Sequence, residues 1–142
     1  MIEEWYLGFY APYFRNLEGR IDPRGWFGHC EIWGYTADGT WFFLDPQSKG
    51  AHVRIAHAHD DVRDHISARF ELCDLILRLP GGDPSFRIPI HGPMTCAAIC
   101  GSLIGVRALL PATLRHKVLA KGAEVVHGQA ERRSGRQGDA AA

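Results

Sequence analysis

The 142-residue chain balances 16 basic against 16 acidic residues and is 46% apolar, 11% aromatic. That size and content suit one domain with a real core, and leave no net field to gather nucleic acid or anionic lipid. No apolar run reaches the length of a membrane span, and Glu3 and Glu4 stand where a secretory signal would carry bases, so a soluble, cytoplasmic protein is expected.

Residues 1–28 are aromatic and broken by Gly and Pro, with Trp5, Tyr6, Phe9 and Tyr10 ahead of the turn-prone Asp22-Pro23-Arg24-Gly25. They read as an aromatic N-terminal arm, irregular or holding a short strand or helix, packed on the domain. Two β-rich runs, His29–Tyr35 and Trp41–Asp45, then flank Asp38-Gly39 and predict a hairpin. With a loop of two or three residues, paired positions sum to about 76 or 77. His29 then falls opposite Gln47 or Ser48, and Asp45 opposite Glu31 or Ile32.

Residues 51–58 suit a third strand, and Asp60 to about Ala68 a short helix with Asp60 or Asp61 near its cap. Leu72–Leu79 reads as a strand ended by Pro80-Gly81-Gly82-Asp83-Pro84. Thr95 can cap a short buried helix, Cys96–Ile104, which Gly105 closes. Pro111 opens another, from Ala112 to about Lys121, closed by Gly122, and Glu124–His127 is a last strand or coil. Residues 129–142 hold no large apolar side chain and read as a disordered tail. The sum is a single α+β domain over 1–128, a small antiparallel sheet packed against a Cys-bearing helix.

Four cysteines, Cys30, Cys73, Cys96 and Cys100, form no CxxC pair, and a chain of this size needs no staples, so neither a zinc site nor a disulfide framework is expected. Cys96 and Cys100 stand four apart, a spacing that serves core packing as well as chemistry. In the first turn of a helix, Cys96 would feel the partial positive charge of the amide ends, which favours thiolate, while the same amides can hold an oxyanion. His29 and Asp45 on neighbouring strands suit a base whose tautomer an acid fixes. Cys96, His29 and Asp45 together would make a nucleophile, a base and its orienter. Glu31 and Gln47 are alternatives to Asp45, and His91, five residues before Cys96, is near enough in sequence to line the same cleft. His52, His57, His59 and His65, with Asp60, Asp61 and Asp64, form a weaker metal candidate whose bland reading is solvated side chains. No cofactor is expected.

The order of parts, a strand beginning Gly28-His29, a strand ending in Asp45 and a later Thr95-Cys96 helix start, resembles the circularly permuted branch of the papain-like, NlpC/P60-type thiol hydrolases. The stretches Cys96–Val106 and Pro111–Glu124 also resemble small phage and prophage proteins of that branch. The resemblance implies Cys96 as nucleophile, His29 as general base and then acid, and Asp45 as orienter, with peptide, acyl or cell-wall-type substrates cleaved at amide, ester or thioester bonds. It equally implies non-catalytic members, virion-associated and partnered with phage structural proteins. Ala97 departs from the larger apolar residue such a helix would carry, and residues 50–92 follow no pattern of the family.

Overall fold

A computed structural model describes residues 1–10, 28–47, 50–57, 59–83 and 95–128. The tail at 129–142, most of the 11–28 stretch, Ser48 and His91 lie outside the described residues. Among the described residues six strands form one antiparallel sheet: β1 (Ile2–Tyr10), β2 (His29–Thr36), β3 (Trp41–Gln47), β4 (Gly50–Ala56), β5 (Leu75–Gly82) and β6 (Glu124–Gly128). Their order across the sheet is β4-β3-β2-β1-β5-β6. Three helices accompany them among the described residues, α1 (His59–Leu72), α2 (Cys96–Leu103) and α3 (Pro111–Ala120). The α+β architecture with its Cys-bearing helix on the sheet is the expected one.

The hairpin is paired in the anticipated register. Ile32 faces Leu44, Trp33 faces Phe43 and Tyr35 faces Trp41, all summing to 76. The loop closes through the Thr36 amide on the Thr40 carbonyl at 3.0 Å and the Gly39 amide on the Thr36 carbonyl at 2.9 Å. Three elements differ from the sequence reading. Ile2–Tyr10 of the supposed arm is a nine-residue strand in the middle of the sheet, paired with β2 on one side and β5 on the other. Helix α1 runs on to Leu72, and β5 starts only at Leu75 and carries on through Pro80 to Gly82. Strand pairing with β1, as far as Ile2 against Gly82, holds that Pro-Gly-Gly stretch extended where local propensity alone would turn it.

Alternation along the strands splits the core between two faces. Trp5, Leu7 and Phe9, with Cys30, Ile32, Leu75 and Leu77, point to one side, where α2 and α3 supply Ala97, Cys100, Leu103, Leu114 and Val118. Trp33, Phe43 and Ile76 point to the other, where α1 lays Val62, Ile66 and Phe70 against them at four-residue spacing. Covering both faces is what makes β1 apolar at successive positions. Each such side chain, fully buried, contributes about 1.5–3 kcal/mol.

The position of α2 is set at both ends. Thr95 is its cap, its hydroxyl oxygen accepting from the Ala98 amide at 3.0 Å. At the far end the Gly105 amide bonds the Ser102 carbonyl, and the Val106 amide bonds the Gly101 carbonyl at 2.8 Å. That closure needs a left-handed residue, and Gly105 supplies it at φ 71°.

Candidate active site

Cys96 and His29 are each the first residue of their element. Alternation places His29 with Glu31 and Trp33 on the α1 side of the sheet and Cys30 on the α2 side. A side chain at the very start of a strand is free to reach past the sheet's end, and the His29 ring meets Asp45 on β3 while the Cys96 thiol on α2 acts on its charge. The three residues singled out from sequence are therefore brought together.

Nε2 of His29 stands 2.6 Å from Oδ1 of Asp45, and Gln47 donates from Nε2 to Oδ2 of the same carboxylate at 3.0 Å. With Nε2 committed to Asp45, Nδ1 is the nitrogen left for sulfur. The Tyr10 ring lies beside the imidazole, centroids 5.6 Å apart. The Asp45 carboxylate, accepting from the ring, and the Cys96 thiol beside it, against the opposing effect of burial, push the His29 pKa up to about 10. Asp45 is held below the usual carboxylate range, chiefly by His29.

Cys96 departs from expectation. Its thiol is pushed up, not down, to about 12, with the neighbouring Cys30 thiol the largest cause and burial next. His29 and a Cys30 backbone hydrogen bond act in the opposite direction and are outweighed. A helix end contributes only about 0.3–1 kcal/mol. Taking a thiolate into a part-buried site beside a second thiol costs more than that.

Sequence reasoning did not foresee Cys30 as a member of the site. It is fully buried in the core cluster against which α2 packs, and the Cys100 and Cys96 thiols both act on its charge. Cys100 also directs its sulfur at the Cys30 carbonyl, 3.8 Å away. The available signal was the i,i+4 pair on α2 together with a third cysteine next to the candidate base.

Glu31 is the buried charge of the described residues, and it does not orient His29. It accepts a hydrogen bond from the Tyr10 hydroxyl at 2.7 Å and faces Nε of Arg69 at 3.0 Å. The Arg69 guanidinium in turn lies over the rings of Phe43, at 4.4 Å, and Trp33, at 5.6 Å. Burial raises the Glu31 carboxyl and Arg69 opposes that rise.

The histidine-rich stretch is dispersed. His57 meets the Thr40 hydroxyl at 3.2 Å and His65 meets Arg54 at 2.9 Å. No group of three metal-ligating side chains converges among the described residues. A cavity of about 330 Å³, lined by Trp5, Leu79, Gly81, Leu103 and Lys121, opens at the opposite end of α2 and touches none of Cys96, His29 and Asp45. No helix of the described residues is long and apolar enough to cross a membrane.

Against family models, curated proteins and solved structures, the chain has no match.

Proposed function

We propose that this protein is a cysteine-dependent hydrolase or acyl transferase acting on an amide, ester or thioester bond, of the kind the permuted papain-like resemblance implies. The observation that carries the reading is the 2.6 Å contact of His29 with Asp45 on a ring that also meets the thiol of Cys96. In this scheme His29 takes the Cys96 proton through Nδ1 and the sulfur attacks the acyl carbon. The amides of Cys96 and Ala97, at the α2 start, receive the oxyanion. His29 then returns the proton to the leaving group, and water or an acceptor, activated by the same ring, releases the acyl group. Asp45 stabilises the imidazolium throughout.

Because His29 serves as a base only when Nδ1 is unprotonated, turnover should rise with pH towards about 10. The test is incubation of the reduced protein with p-nitrophenyl esters and acyl thioesters across that range, followed by intact-mass measurement. An acyl adduct on Cys96 that is absent from Cys96→Ala and strongly reduced in His29→Ala supports the reading. Release of the chromophore at equal rates by all three proteins, with no adduct, would overturn it.

A second reading has its own support. A thiol pushed up to about 12, part-buried and away from the cavity, suits a scaffold that has kept the residues without the reaction, as a virion or assembly protein would. In that case phage-type structural proteins are the partners, and no acyl adduct forms on any ester offered.

A further inference from the structure

We propose that Cys96 and Cys30 form an oxidisable pair, in which a hydroperoxide oxidises Cys96 and Cys30 resolves the product as a Cys30–Cys96 disulfide. All four cysteines are free thiols. Three of them, Cys30 on β2 and Cys96 and Cys100 one turn apart on α2, are packed into one cluster between sheet and helix. Access separates their roles. Cys30 and Cys100 are wholly buried, whereas Cys96 is partly open, so an oxidant from solution meets Cys96 first.

The chemistry balances without help from elsewhere. The Cys96 thiol gives its proton to His29 and the sulfur attacks one peroxide oxygen; the O–O bond breaks, an alcohol or water leaves carrying that proton, and Cys96 becomes a sulfenic acid, oxidised by two electrons while the peroxide is reduced by two. The Cys30 sulfur then attacks the Cys96 sulfur. The S–O bond breaks, and hydroxide leaves with the proton from Cys30 as water. Two thiols and one peroxide give one disulfide, one water and one alcohol or second water.

Cys30 is placed to win the second step. Its thiol belongs to the core cluster against which Cys96 packs, and it acts on the Cys96 thiol across the β2–α2 seam, so it is the thiol on the sheet placed to close a bond of about 2.05 Å with Cys96. Cys100 competes for Cys30 but cannot itself readily meet Cys96: residues one turn apart on a helix hold their Cβ atoms about 5–6 Å apart, beyond the usual disulfide range of about 3.5–4.5 Å.

Oxidation in this way would block the nucleophile of the proposed reaction reversibly, though the pairing does not require that reaction. The two fail separately. The hydrolase reading is tested on esters under reducing conditions, and the pairing by mapping bonds with no substrate present.

The experiment treats the full chain with hydrogen peroxide, blocks remaining thiols with iodoacetamide and maps the peptides by mass spectrometry with and without dithiothreitol. The expected result is a Cys30–Cys96 linkage, with labelling of Cys96 reduced about tenfold and restored by dithiothreitol. In Cys30→Ala, peroxide should instead carry Cys96 on to sulfinic acid, which dithiothreitol does not reverse. A wild-type protein whose Cys96 goes to sulfinic acid, a linkage of Cys30 to Cys100, or an unmodified Cys96 under conditions that oxidise free cysteine would each overturn the proposal. Cys100→Ala, which leaves both partners in place, should still form the linkage.

Discussion

The carboxylate of Asp45 and the Nε2 nitrogen of His29, 2.6 Å apart, join the two strands of a hairpin at the point where the sheet meets the helix bearing Cys96. The pair is about a quarter exposed on each side, so its charges are only partly screened. Asp45→Asn removes the charge and keeps a hydrogen-bonding group. The His29 pKa should fall back towards the ordinary imidazole range, seen by NMR titration, and acyl transfer should drop by about 10²–10⁴-fold. An unchanged titration would detach Asp45 from the ring.

Stability should decline with alkaline pH. The folded His29 pKa, about 10, lies above its unfolded value near 6.5, so the native chain binds the extra proton between those limits. Its stabilisation is fully present below about pH 6.5 and is lost as pH climbs through about 10. Allowing for solvent screening, the loss should be on the order of 2 kcal/mol. Asp45 works at the other end: its lowered pKa stabilises the fold above about pH 4, and that contribution fades in acid. Urea unfolding of wild type and His29→Gln between about pH 7 and 9, below the range where the raised Cys73 and Cys96 thiols add their own decline, checks the sign, since the variant should lose this part of the decline.

Cys30→Ala should make Cys96 more reactive. The Cys30 thiol is the largest influence holding Cys96 protonated, and removing it leaves His29 less opposed. Iodoacetamide labelling of Cys96 near neutral pH should speed up by roughly an order of magnitude, equal to one pKa unit. The fold should lose only about 1 kcal/mol for the vacated sulfur.

Arg69 and Glu31 invite a contrast. Arg69→Leu leaves Glu31 charged and buried without its counter-ion, and should cost about 3–5 kcal/mol in a urea midpoint comparison. Tyr10→Phe removes one hydrogen bond to the same carboxylate and should cost about 1–2 kcal/mol. If both changes cost the same small amount, Glu31 is protonated in the native state.

Thr95→Ala deletes the cap of α2 and should destabilise by about 1 kcal/mol. Since Cys96 is the next residue, its labelling rate should change as well, whereas that of buried Cys73 should not.

What sequence could say about this molecule depended on how local the cause was. A turn fixes its own register, so the sum of 76 carried His29 and Asp45 to neighbouring strands before any packing was known. Thr95 and Gly105 mark their helix ends by their own chemistry, and both do so in the structure. Strand β1 was harder because Trp5 to Tyr10 are buried or half-buried on both faces, which erases the alternation that would reveal them. The raised Cys96 thiol was illegible for another reason. Its cause, Cys30, lies 66 positions earlier in the chain and acts only once the helix is docked. Local reasoning saw the helix end, the weaker influence.

Strand β1 has a consequence for how the chain is made. It leaves the ribosome before both of its neighbours, and β5, which closes its second edge, is complete only at Gly82. At about 5–20 residues per second, that wait lasts roughly 4–14 s. For that interval an apolar ribbon of Trp5, Leu7 and Phe9 has open backbone donors and acceptors along its length. A Lys in place of Tyr6 would ease that exposure at the expense of the stacking on Trp33 that the finished sheet requires.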